Sequence, residues 1–378
     1  MSTTLKFGRT AKTNSEQQFH PLVKKRVQAY FNDNNLSKHA NAAMVFKTFF
    51  FMGGAVLLYS LILWGGFGLW AMLGLAALLG MFQAFIGFNI SHDGMHGAYS
   101  PKNWVNRLVG SSFYLIGANV EVWKVTHNNV HHMYTNIAGH DEDIEIAPGL
   151  IRLSHHDQLK PVMRYQHIYA FFLYCFASLT WVFRKDYVKF FKEKIGQYDN
   201  RRNSWQPAFN LFFFKAVYYV LFIGLPLWLL PITWWQFIIG FLVMHFAEGV
   251  VLGLVFQLAH VVEGTDFPLP NDDGNMEALW AVHQMHTTAN FARKSYLANF
   301  LCGGLNFQIE HHLFPKICHI HYRAISDIVK QTAEECGVPY IENKTFWGAL
   351  VSHQRCLKSF GRDALMARRV GYMAAPAQ

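Results

Sequence analysis

The chain has 378 residues, 52% hydrophobic, 16% aromatic and only 15% charged, with a net charge of +9. Soluble domains carry about 25% charged residues, so the composition excludes an ordinary soluble protein and points to an integral membrane one. The surplus of positive charge then concerns anionic lipid and topology rather than nucleic acid.

Residues 1–47 hold eight Lys/Arg against two acids. No short apolar segment follows the basic residues, so no secretory signal is expected. Leu22, Val23, Val27 and Tyr30 share one face of a short amphipathic helix, either lying on the membrane or forming part of a soluble cap. From Thr48 to His92 there is no Asp, Glu, Lys or Arg. A spanning helix needs about 20 apolar residues, so this run predicts two spans, near 48–65 and 69–90, hinged at Gly65-Gly66-Phe67-Gly68. Residues 109–120 are apolar but too short to cross, and are read as buried or re-entrant. Residues 168–183 are predicted to lie at the interface. Residues 184–202 are basic, with seven Lys/Arg and three acids. The apolar run from Leu211 to Phe256 predicts two more spans, near 211–230 and 234–258, broken at Pro231-Ile232-Thr233. Cys175, Cys302, Cys318, Cys336 and Cys356 include no CxxC pair, which argues against a disulfide framework or a zinc ribbon.

With four spans, the uncharged turns 65–68 and 231–233 face one side and all basic segments face the other. By the positive-inside rule the basic side is the cytoplasm. The predicted fold is an all-α integral membrane protein: four transmembrane helices and a cytoplasmic helical cap. Residues 1–47 form its N-terminal segment, 48–260 the membrane region and 261–378 the cytoplasmic C-terminal part. If 168–183 crossed the membrane, His260 and the C-terminal histidines would lie opposite the others.

The 20 histidines are unevenly spread. Three clusters stand out: His92 and His96; His127, His131 and His132; His311 and His312. His260 closes the fourth span as His92 closes the second. Helical residues four apart lie about 40° from one another around the axis, so His92/His96 and His127/His131 each point one way, while His132 and the adjacent pair His311-His312 can serve a second metal. Imidazole suits zinc, copper, iron or nickel. Eight candidates exceed the need of one tetrahedral zinc; two metals is the economical reading, and iron is favoured if oxygen is used. Gln308, Asn89, Asp93 and Asp141 are candidates to orient ligands or hold a water, and Asp143 shares the acidic run with Asp141. His20, His39, His155, His156, His167, His319, His321 and His353 are read as surface residues. His283 and His286 stand outside the ligand set, with contact to the metal or its neighbours as the lesser alternative. His245 and Glu248, three apart within the fourth span, are read as a structural pair.

The pattern HxxxH at 92–96, HxxxHH at 127–132 and QxxHH at 308–312 resembles the membrane fatty acid desaturases. The surroundings His131-His132-Met133-Tyr134-Thr135-Asn136 and Asn306-Phe307-Gln308-Ile309-Glu310-His311-His312-Leu313-Phe314-Pro315 resemble them too. Gln308, where many desaturases have His, is similar to the front-end and linoleoyl-CoA-type group. The resemblance implies a di-iron centre on His92, His96, His127, His131, His132, His311 and His312, with His260 similar to an additional ligand. It implies O2 as co-substrate, a long-chain acyl substrate carried on CoA or lipid, and a cis double bond as product. The haem motif of a fused cytochrome b5 domain does not occur, since His20-Pro21 is followed by Leu22-Val23. Electrons are therefore expected from a separate ferredoxin- or cytochrome b5-type donor. Hydroxylation on the same centre is the alternative outcome. A haem carrier would want its histidines inside the spans, and a zinc protease would want HExxH, which is absent.

Overall fold

Among the described residues four helices are long and apolar enough to cross a membrane: Ala42–Trp64, Leu69–His96, Gln206–Leu229 and Trp234–His260. They belong to a computed structural model that describes residues 5–9, 13–154, 157–158, 160–201 and 204–373, with side chains as far as Arg362. His155 and His156 lie outside the described residues. Nearly all the regular structure is helical; the named strands are two short pairs, Lys194–Ile195 with Tyr198–Asp199 and Asn290–Phe291 with Glu342–Asn343.

The observed spans begin or end beyond the apolar runs for local reasons. The first starts at Ala42 because Asn41 caps it, its Oδ1 accepting from Met44 N at 3.2 Å. Lys47 is therefore inside the helix, where its Nζ donates to His319 Nε2 at 2.8 Å. Gly65, at φ +69°, ends that helix in the left-handed conformation that glycine adopts without strain. The second span runs on to His96 through a π-helical segment, Gly87–Ser91. The fourth starts at a capping box between Thr233 and Gln236.

The second and fourth spans form the centre, each with 39% of its apolar window buried, against 11% and 22% for the first and third. Their backbones touch: a Cβ on Gly80 would lie 1.9 Å from the Met244 carbonyl oxygen. Trp64, Trp70, Trp228 and Trp234 are exposed around the two uncharged turns, as an aromatic belt at one membrane surface requires. At the opposite end the second and fourth spans deliver His92, His96 and His260.

Residues 168–183 fall in two helices rather than one. Helices Pro161–Tyr174 and Ala177–Phe191 meet at a 71° bend. At the bend Ser178 reaches Glu248 and His245, deep in the fourth span. The two arms return to the cap, where Gln166 bonds Leu357 O and Lys185 bonds Asp143. The pair, a helical hairpin, packs against the fourth span and the C-terminal helix, with Ile168, Phe172 and Phe183 exposed on its outer face. The N-terminal helix Asn14–Asp33 is part of the cap. Phe19, Val23, Val27 and Phe31 are buried in one cluster with Ile325, Val329 and Ala333 of helix Tyr322–Cys336, and Arg26 bonds Glu335 and Thr332.

Candidate metal centre

Three short pieces and one helix end supply the clustered histidines. The first is the turn His92–His96 at the end of the second span. The second is the segment from Val120 to Tyr134, π-helical over Lys124–His131. The third is helix Gln308–Leu313, and the fourth is His260. A π-helix closes i→i+5 hydrogen bonds, which changes the facing of the second cluster. His127 and His132, five apart, turn inward together with their Nε2 atoms 3.2 Å apart. The α-helical expectation that His127 and His131 serve one metal is corrected. His127 joins His92, His96 and His311, whereas His131 joins His260 and His312; His132 lies between, grouped with His311 and His312. Within each group the nitrogens lie within 4.8 Å of one another.

The polarity of the rings is ordered. His127 Nδ1 donates to Asp143 Oδ2 at 3.0 Å and His131 Nδ1 to Asp141 Oδ2 at 2.8 Å. His312 Nδ1 donates to Gln284 Oε1 at 2.7 Å, His260 Nδ1 to Thr287 O at 3.3 Å, and His311 Nδ1 lies 3.3 Å from the Tyr322 hydroxyl. In these five rings the outward nitrogen is thereby protonated or held and Nε2 keeps a lone pair, the arrangement a metal-binding imidazole needs. Inward, the Nε2 atoms of His92, His96, His131 and His311 and the Nδ1 of His132 are buried and have no hydrogen-bond partner. Lone pairs facing one another in a dry site are costly to leave unpaired. Two adjoining cations would satisfy them, so the donor set fits a two-metal centre.

Electrostatics point the same way for four of the rings. Burial, then the neighbouring imidazoles, holds His127, His132, His311 and His312 well below the ordinary histidine range, so they are neutral and able to ligate. At His131 burial acts downward too, but the Asp141 carboxylate outweighs it and the pKa rises. Burial opposes ionisation of Asp143, yet the nearby Lys185 ammonium and His131 bring its pKa below the usual carboxylate range. Lys185 Nζ sits 3.0 Å from Asp143 Oδ1.

Several residues are placed otherwise than expected. Asn89 bonds the carbonyls of Phe85 and Leu301, tying the second span to the loop before Gln308 rather than orienting an imidazole. Asp93 accepts from His319, through its backbone N at 3.2 Å and Nδ1 at 2.8 Å, and from none of the eight candidates. Gln308 lies on the ligand face itself, its carboxamide nitrogen 2.8 Å from His260 Nε2 and 3.2 Å from His312 Nε2. His319, His321 and His353 are buried rather than on the surface. Burial follows from tertiary bonds, His321 to His39 O and His353 to Tyr174 and Val261 O. Asp93, Cys318 and His319 form a further cluster, but Asp93 and Lys47 already engage both ring nitrogens of His319. His283 is buried against Thr135 O, and His286 pairs with Asp266 at the surface. His245 and Glu248 do pair, at 3.3 Å, with Ser178 bonded to both.

An apolar pocket of about 780 Å³, open mouth included, reaches His92 and His127 between the central spans and the hairpin. Phe113, Trp123, Trp181, Leu252 and Phe256 line it, and Asp143, Glu145 and Lys185 are its charged residues. A flexible hydrocarbon is the ligand such walls select. The family model for fatty acid desaturases matches residues 68–344. The chain belongs to the fatty acid desaturase family. It is 36% identical over 340 residues to an sn-1 linoleoyl-lipid 6-desaturase of Arthrospira platensis, covering 90% of this chain and 92% of that one. It is 34% identical over 354 residues to the enzyme of the same name from Synechocystis sp., covering 93% and 98%. To an acyl-lipid (8-3)-desaturase of Physcomitrium patens it is 34% identical over 351 residues, covering 91% and 72%. The protein is thus a desaturase, an oxidoreductase of lipid metabolism. Gln284, Thr135, Tyr322 and Lys185 of this desaturase escaped sequence reasoning. They touch the imidazoles or their carboxylates only through the fold; Trp280-Ala281-Val282-His283-Gln284 drew attention for its histidine, not its glutamine.

Proposed function

We propose that this desaturase introduces a cis double bond into an acyl chain carried on a membrane lipid. The observation that carries the reading is the junction of two imidazole groups with an apolar pocket that ends on His92 and His127. Curated relatives whose names specify acyl-lipid and linoleoyl-lipid substrates support lipid as the carrier. His92, His96, His127 and His311 would hold one iron, and His131, His260 and His312 the other, with His132 between them and Gln308 beside the second. The bound irons supply the O2 chemistry that strips two hydrogens from an unactivated chain. The protein's own residues do the rest. Phe113, Trp123 and Phe256 place methylenes by shape and exclude water, because a C–H bond offers no charge to grip. Asp141 and Asp143 keep the protons of His131 and His127 on the outward nitrogens and balance the charge of the centre. Electrons come from a separate protein, and the centre, the basic segments and both termini face the cytoplasm.

The test is expression in a host of known lipid composition with mass spectrometry of its fatty acids. Products two mass units lighter, lost in His131→Ala and His311→Ala, are expected. A product sixteen units heavier would assign hydroxylation instead.

A further inference from the structure

Two openings converge on the candidate centre, and they differ in chemistry. The apolar pocket touches His92 and His127. The second opening, a cleft of about 1180 Å³ with its open mouth included, has His96 in its wall, together with Arg107, Lys124, Lys316 and His39. Among the described residues no carboxylate lines this cleft. Arg107, Lys124 and Lys316 come from three separate segments: helix Asn103–Gly110, the second histidine segment and the turn after His312. Glu121 approaches Lys124 only to 3.8 Å, and both are partly exposed, a pairing worth little in water. In the other basic stretch four cations have carboxylate partners: Lys185 pairs with Asp143, Lys189 and Lys192 with Glu142, and Arg201 with Asp199. The cleft is therefore an uncompensated positive surface abutting a candidate ligand. His96 is half-buried in its wall, while its Nε2 is buried and unpartnered on the inner side. One imidazole separates the cleft from the metal position.

Desaturation by O2 needs such a surface. Reducing O2 to two waters takes four electrons and four protons. The acyl chain supplies two electrons and two protons as two C–H bonds break and the C=C bond forms. Two electrons must enter from a carrier, with two protons from water. We infer that the cleft around His96 is the docking site of an acidic one-electron carrier protein, which delivers electrons through the His96 imidazole. This rests on the desaturase reading above. Charge complementarity is what steers weak, short-lived redox encounters, whose interfaces are small. The rival occupant is an anionic lipid headgroup, because Trp104 and Leu108 of helix Asn103–Gly110 are exposed like interfacial anchors. The carrier is favoured because the hydrocarbon has its own pocket, with its own charged residues Asp143, Glu145 and Lys185.

The full-length protein in neutral phosphatidylcholine nanodiscs is assayed with two acidic carriers in parallel, a reduced plant-type [2Fe–2S] ferredoxin and soluble cytochrome b5. Dithionite serves as the small-molecule control. In Arg107→Glu/Lys316→Glu, KM for the carrier that drives turnover should rise at least tenfold and lose its salt dependence. The dithionite-driven rate and the KM for lipid substrate should stay within twofold. Arg107→Gln/Lys316→Gln should show a smaller rise in the same direction. An unchanged carrier KM, a rise confined to the KM for lipid, or wild-type turnover with dithionite but neither carrier overturns the inference. No desaturated product from wild type under any reductant would instead remove the desaturase reading beneath it.

Discussion

Gln308 is the residue where chemistry and geometry meet most closely. Its carboxamide stands beside the Nε2 atoms of His260 and His312, on the face where the Nε2 atoms of His92, His96, His131 and His311 have no partner. A carboxamide oxygen is a weaker donor than imidazole, so beside a metal Gln308 would bind weakly or hold a water. Gln308→Ala is expected to lower turnover more than tenfold, about 1.4 kcal/mol of barrier, and Gln308→His should retain more activity than Ala. Turnover compared at equal iron content checks both; wild-type activity in Gln308→Ala would make it a bystander. Asp143 tests the outward side. Asp143→Asn keeps the shape but removes the charge that His127 Nδ1 and Lys185 share. Loss of such a partner costs about 10–100-fold in metal affinity, read as faster iron loss to a chelator. His131 and His311 replaced by Ala should abolish activity while leaving membrane insertion intact, read as membrane-fraction yield.

At the level of elements, two departures from ideal helix decide the site. The π segment at Lys124–His131 divides one histidine cluster between two groups. The π segment at Gly87–Ser91 carries the second span on to His92 and His96. Close backbone approach holds these elements in register. At Gly303, φ is +58° and a Cβ would meet the Phe88 carbonyl oxygen at 2.3 Å, so the loop before Gln308 rests directly on the second span. Gly80 does the same between the central spans. Overpacking such a contact costs about 1–3 kcal/mol. Gly80→Leu is expected to lower the thermal unfolding temperature in detergent and, by parting the central spans, to reduce iron occupancy. An unchanged unfolding temperature would mean the spans have room to separate.

Across the whole molecule, the four spans gather every clustered histidine at one end and the exposed tryptophans of the two turns at the other. The hairpin meets Glu248 at its bend, and both of its arms touch the cap. Cysteines introduced at Gly68 and at Lys194, in a background lacking the native five, should label from opposite faces of sealed vesicles. Labelling from the same face would mean that the hairpin crosses.

The sequence by itself determined the class, the number of long apolar runs and the three histidine clusters at their ends. Those features are local: charge-free length, and residue type at a fixed spacing. The placement of Gly65 and Pro231 also disclosed where the runs turn. Only the tertiary structure decided which histidine joins which group, because a π-turn has no signature in hydropathy and shifts side-chain facing by one residue. It also decided that Asp93 serves His319, that Gln284 serves His312 and that Lys185 serves Asp143. These partners lie 226, 28 and 42 residues apart, beyond the reach of any periodicity. The burial of His319, His321 and His353 has the same origin: their partners Asp93, His39 and Tyr174 are far away in sequence and adjacent only in space.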